Sequence, residues 1–151
     1  MQIKRILVPI DFSDDSRNAL AYACGLATQF GAELFLLHVI EPIHFITASD
    51  VYAQQRRLST AQLDGIAAEL RAQGQPFRTM VRAGFPAKVI GDTATRARAN
   101  LIVMGTHGRT GLAHALIGSI AEKVVRTAHC PVLTVRRPAI SARRAARHRA
   151  R

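Results

Sequence analysis

An aspartate, a run of glycines and one Gly-Ser pair are the residues of this chain best suited to chemistry. Asp11 follows the apolar run Ile6-Leu7-Val8-Pro9-Ile10. A second run, Leu101-Ile102-Val103-Met104, leads into Gly105-Thr106-His107-Gly108-Arg109-Thr110-Gly111, and Gly118-Ser119-Ile120 comes next. Glycines let backbone N–H groups approach an anion, and the start of a helix adds partial positive charge. A strand, then glycines, then a helix N-terminus is therefore the physical recipe for a phosphate site. His107 and Arg109 carry donors that can reach phosphate oxygens. The chain has no Gly-x4-Gly-Lys-Ser/Thr, and no Gly-x-Gly-x2-Gly follows the first run, so neither P-loop machinery nor a dinucleotide fingerprint is present. The spacing present is Gly105-x2-Gly108-x9-Gly118-Ser119.

Each of these residues also has an architectural reading. Asp11 can cap the first helix, and Ser119 with Glu122 has the Ser-x-x-Glu spacing of a capping box. Gly111 can be a turn glycine, and His107 and Arg109 can be solvated loop residues. His38, inside a buried run, reads as a hydrogen-bonded core histidine, and Cys24 as a small core residue on a helix. His129 and Cys130 precede Pro131 and read as a tight turn into a strand. The two cysteines lie in no Cys-x-x-Cys or metal-ligand spacing, so neither a disulfide nor a zinc framework is supported.

Positioning a phosphate site takes strands and helices in a definite order. Ile3–Ile10 is short, branched and mostly apolar, as a strand buried on both faces should be. Ser13 or Asp14 caps a helix with Ala19, Leu20, Ala23, Leu26, Ala27 and Phe30 at helical spacing, ending at Gly31. Leu34–Ile40 is a second buried strand. Residues 43–57 have no clear period and read as a loop running into a helix, whose stripe is Leu58, Leu63, Ile66, Ala67 and Leu70. Phe77–Val81 alternates with polar residues, as at a sheet edge. Gly84-Phe85-Pro86 opens a third helix with Val89, Ile90, Ala94 and Ala97 inward. Asn100–Met104 is a fourth strand, Ser119–Ala128 a fourth helix and Pro131–Val135 a fifth strand. Strands alternating with helices of these lengths predict an α/β fold, a single doubly wound, Rossmann-like domain. In such sheets ligands bind beyond the carboxyl ends of the strands, where the strand order reverses.

The chain has 151 residues, 48% of them hydrophobic and 21% charged, which suits one folded domain and not a disordered chain. No apolar run approaches the roughly 18 residues of a membrane helix. The first residues lack the apolar stretch of a signal peptide, so a cytoplasmic protein is the expectation. The formal net charge is +11, but residues 136–151 carry seven arginines and no acid. Setting those seven aside leaves 14 of the 21 basic side chains against 10 acids, a body charge of +4. The expected organisation is a domain over residues 1–137 and a basic Arg/Ala-rich tail over 138–151. That tail reads as a solvated terminus, as a non-specific attractor of nucleic acid or other polyanions, or, least supported, as a membrane-surface helix.

From residue 3 to residue 136 the chain resembles the universal stress protein family, specifically its ATP-binding branch. The resemblance rests on Ile6-Leu7-Val8-Pro9-Ile10-Asp11-Phe12-Ser13, on the glycine spacing, on Gly118-Ser119-Ile120-Ala121-Glu122-Lys123-Val124-Val125, and on Cys130-Pro131-Val132-Leu133-Thr134-Val135. It implies five parallel strands in the order 3-2-1-4-5. It implies ATP, with Mg²⁺ carried on the phosphates, as the cofactor. Asp11 matches the family aspartate near the ribose, Val39 a residue whose backbone meets adenine, and Gly105, Gly108, Gly118 and Ser119 the triphosphate motif. With their neighbours, the candidate contacts are Pro9, Ile10, Asp11, Val39, Met104, Gly105, His107, Gly108, Arg109, Gly118, Ser119 and Ile120, with no catalytic or metal-ligating residue. The resemblance also implies a homodimer through strand five (Val132–Val135) and signalling of nucleotide status through that dimer or a protein partner. Two other classes stay open: a slow ATPase, although no P-loop lysine or second loop acid is seen, and a polyanion-binding module acting through the tail.

Overall fold

The computed structural model describes residues 2–42, 49–107 and 117–136. Strands and helices alternate along them: β1 (Arg5–Pro9), α1 (Asp14–Phe30), β2 (Glu33–Ile40), α2 (Ser49–Ala72), β3 (Phe77–Ala83), α3 (Pro86–Arg96), β4 (Leu101–Gly105), α4 (Ser119–Thr127) and β5 (Val132–Val135). The strands form one parallel sheet in the order β3-β2-β1-β4-β5. This is the doubly wound α/β domain expected from the alternation of apolar runs.

Successive residues on a strand face opposite sides, and both sides are filled here. Ile6 and Val8 of β1, Leu34 and Leu36 of β2, and Leu101 and Val103 of β4 pack with α1 and with Leu63, Ile66 and Leu70 of α2. Leu7, Phe35, Leu37, Ile102 and Met104 turn the other way, onto Ile90 and Ala94 of α3 and Ala121 and Val124 of α4. Helices on both faces leave no polar side to the central strands, which is why those runs are continuously apolar.

Local chemistry sets the ends of α1. Ser13 is the N-cap and its Oγ accepts from the Ser16 N–H at 3.2 Å, while Gly31 closes the helix in the left-handed conformation at φ 63°. The start of α2 differs from the sequence expectation: it begins at Ser49, inside the segment read as a loop. From Asp50 to Leu58 every side chain except Gln55 is exposed, so this helical stretch buries no face and shows no apolar period. Among the described residues no helix is long and apolar enough to cross a membrane. The tail, 138–151, lies outside the described residues.

The edges of the sheet differ. β3 is short of exposed apolar residues, with Arg78, Thr79 and Arg82 outward. On β5, Leu133 is 38% exposed. The Pro131 and Val135 carbonyls accept from the Ile102 and Thr106 N–H groups at 3.0 and 3.1 Å, so odd-numbered residues face β4. Val132 and Thr134 therefore turn their backbone groups to the open edge. Cys24 and Cys130 are free thiols whose pKa is pushed up by burial, which keeps them protonated at neutral pH.

Candidate functional site

The sheet order reverses at β1, whose neighbours are β2 and β4. α1 leaves β1 toward one face and α4 follows β4 on the other, so a crevice opens between the carboxyl ends of the two strands. It holds a cleft of about 260 Å³. Pro9, Ile10 and Asp11 line it from β1, Val39 from β2, Met104, Gly105 and His107 from β4 and its loop, and Gly118, Ser119 and Ile120 from the start of α4.

β2 overhangs β1, and this frees one backbone edge. The ladder between them ends with the Ile10 N–H donating to the Leu37 carbonyl at 2.8 Å. Ile40, by contrast, faces β3 and accepts from the Gly84 N–H at 3.0 Å. Val39 lies between these two and shares the direction of Leu37, so its N–H and C=O point past the end of β1 into the cleft. A donor and an acceptor side by side are thus offered by main chain alone.

The turn after β1 is held under strain. Phe12 has φ 65°, in the left-handed region where a bulky residue costs about 1–3 kcal/mol. Its ring lies 4.5 Å from the His38 ring, and the His38 Nδ1 lies 2.7 Å from the Ile10 carbonyl oxygen. His38 is 6% exposed. The hydrogen-bonded core histidine expected from the sequence is therefore also the clamp on this turn. Asp11 uses Oδ1 to accept from the Ser13 N–H at 3.0 Å and from the Ser13 hydroxyl at 2.5 Å. It does not cap α1 itself; it orders the residue that does, and its carboxylate stays at the cleft wall.

Two glycines are required by space. A β-carbon on Gly105 would lie 3.0 Å from the backbone of Asp15, so the end of β4 abuts the first turn of α1. One on Gly118 would lie 3.0 Å from the Thr106 carbonyl oxygen, to which the Gly118 N–H donates at 2.6 Å. Gly118 has φ −69°, open to any residue, so closeness and not conformation selects glycine there. Gly118 is also the N-cap of α4, with the Gly118 carbonyl accepting from the Glu122 N–H at 2.9 Å. This corrects the capping-box reading. Ser119 sits one residue inside the helix and Glu122 turns to Arg126, 3.6 Å away. The N–H groups of the first turn, from Ser119 to Ala121, have no acceptor within the helix, and their residues line the cleft. His107 closes this end. Its Nδ1 is 3.0 Å from the Thr106 Oγ1 and 3.6 Å from the Asp15 Oδ2.

The structure thus brings ten of the twelve candidate residues to one cleft; Gly108 and Arg109, with Gly111, lie outside the described residues. Beyond the candidates the cleft is also lined by Glu41, Gln55, Pro86 and Ile90, among others, which sequence reasoning missed. A signal existed for Pro86. It opens a helix just after β3, hence at the same end of the parallel sheet as Asp11 and Gly105. Gln55 had none, because nothing in the sequence tells which residue of an exposed helical turn faces inward.

The family model described as the Universal stress protein family matches residues 2–136. A universal stress protein of Methanocaldococcus jannaschii, MJ0531, is 35% identical over 144 residues, covering 89% of this chain and 83% of its own. The solved structure of MJ0577, from the same organism, superposes with a TM-score of 0.84 at 29% identity, over 91% of this chain and 98% of that one. A universal stress protein solved in complex with cAMP shares the fold, with a TM-score of 0.71 at 24% identity over 89% of this chain and 98% of that one. A match across nearly the whole described body, with the strand order and the cleft in the same chain, places the protein in the universal stress protein family.

Proposed function

We propose that the cleft binds ATP and that the protein is a nucleotide-dependent regulator of a stress response. The observation that carries this is the pairing, in one cleft, of a free backbone donor–acceptor edge at Val39 with the unsatisfied N–H groups at the start of α4. Adenine offers an acceptor at N1 beside donors at N6, which complements a backbone N–H and C=O. Phosphates suit a helix N-terminus approached through glycines. Asp11 lies on the cleft wall with these two ends and suits a ribose hydroxyl, as the resemblance implies. Gly108 and Arg109 are proposed to complete the phosphate end, and Mg²⁺ to enter on the phosphate oxygens. Isothermal titration with ATP and Mg²⁺, run beside adenosine and inorganic tripolyphosphate, tests the reading. Both fragments should bind, each more weakly than ATP. Failure of ATP to bind at all would sink it.

The nucleotide state is proposed to be reported through a homodimer formed along β5. Its outward backbone groups at Val132 and Thr134, beside the exposed Leu133, form an edge that must be covered or else invite uncontrolled pairing. Thr134→Pro deletes an outward N–H and leaves the ladder to β4 intact. Sedimentation at micromolar concentration should show the parent as a dimer and this variant as a folded monomer. A variant that stays dimeric would exclude the edge.

A further inference from the structure

We propose that Gln55 sets base specificity in the cleft, its amide reading the N6–N7 edge of adenine. The inference rests on the adenine-nucleotide reading above and adds a residue that neither the glycine motif nor the strand ends contain. From Asp50 to Leu58, Gln55 alone is half-buried and alone lines the cleft, while Gln54, Arg56 and Arg57 beside it are exposed. Among the described residues no hydrogen bond engages its amide. A polar head thus stands in the lining that also contains Leu37, Pro86 and Ile90, with no partner among the described residues to satisfy it.

A carboxamide presents a donor N–H and an acceptor C=O side by side. Adenine presents the complementary pair on that edge, a donor at N6 and an acceptor at N7, whereas guanine presents two acceptors, O6 and N7. The main chain of Val39 cannot make this distinction alone. Its N–H and C=O match N1 and N6 of adenine, but a small shift of the base lets them match O6 and N1–H of guanine. N6 carries two hydrogens, so Val39 can take one and Gln55 the other. Glu41 at the rim cannot substitute, because a carboxylate accepts only and would repel N7. Guanine in the same pose sets O6 against the amide oxygen and leaves both desolvated between apolar walls.

The test is calorimetric titration of the full chain with ATP, GTP and inorganic tripolyphosphate, each with Mg²⁺, for the parent, Gln55→Ala and Gln55→Glu. The parent should prefer ATP to GTP. Gln55→Ala should cut ATP affinity by about 5- to 150-fold, the worth of one bidentate pair, with GTP unmoved or bound more tightly and tripolyphosphate unmoved. Gln55→Glu should lose ATP affinity as well, since its second oxygen faces N7. Equal losses for ATP and GTP would make Gln55 a wall and not a reader, which overturns the proposal. A parent that favours ATP while Gln55→Ala keeps that preference overturns the assignment of Gln55 alone. A parent that binds tripolyphosphate and neither nucleotide more tightly removes the base pocket, and with it the adenine reading.

Discussion

Gly118→Val is expected to lower affinity for ATP and for inorganic tripolyphosphate alike, by about two to four decades. That is the loss of two charge-assisted hydrogen bonds at roughly 1.5–3 kcal/mol each. The physical route runs through Thr106. The Gly118 N–H donates to the Thr106 carbonyl at 2.6 Å, and even a β-carbon would lie 3.0 Å from that oxygen. A branched side chain forces the start of α4 away from the end of β4, and the first-turn N–H groups lose their aim. The same contact makes the substitution costly to the fold, on the order of 1–3 kcal/mol for overpacking, so the thermal midpoint should fall as well. The sequence alone gives no reason for that second effect, since a residue at a helix entrance looks free of the core. Gly118→Ala, which asks Thr106 to give by a few tenths of an ångström, should show both effects in weaker form. Affinity is read by titration at a temperature where circular dichroism shows each variant folded. A folded Gly118→Val with parental tripolyphosphate affinity would falsify the phosphate cradle.

Asp11→Ala should separate the sugar end from the phosphate end. ATP affinity is expected to drop about 10- to 150-fold, the loss of one hydrogen bond to a charged group, while tripolyphosphate affinity stays as in the parent. The carboxylate has a second duty, since Oδ1 accepts from both the N–H and the hydroxyl of Ser13, the N-cap of α1. Asp11→Ala therefore also loosens the cap, at about 0.5–2 kcal/mol of stability. Asp11→Asn isolates the two duties. Its amide oxygen can still accept from Ser13, so the thermal midpoint should recover, but the charge is gone and ATP should remain weakened. If tripolyphosphate weakens as much as ATP in Asp11→Ala, the residue acts on the helix and not on the ribose.

The fold was legible in the sequence because its signals are local. Ile6-Leu7-Val8 and Leu34-Phe35-Leu36-Leu37 have no polar face, and only a strand covered on both sides uses such runs. Gly31 marked the end of α1 because a left-handed residue there favours glycine. The motif residues Asp11, Gly105 and Gly118 could likewise be picked out by type and spacing, and the cleft gathers all three. What each of them does was not legible. Whether Asp11 caps or orders a cap depends on which atom lies 3.0 Å from Ser13, and the role of Ser119 turned on a one-residue shift in where α4 begins. The N-terminal half of α2 was invisible because an exposed helix carries no apolar period. Gln55 could be found only in three dimensions. Residues 55, 39 and 86 share no motif; they meet because a parallel sheet sends α2, β2 and α3 past the same strand ends. Periodicity and glycine chemistry are written along the chain, whereas the side of a cleft a residue faces is set by packing between elements distant in sequence.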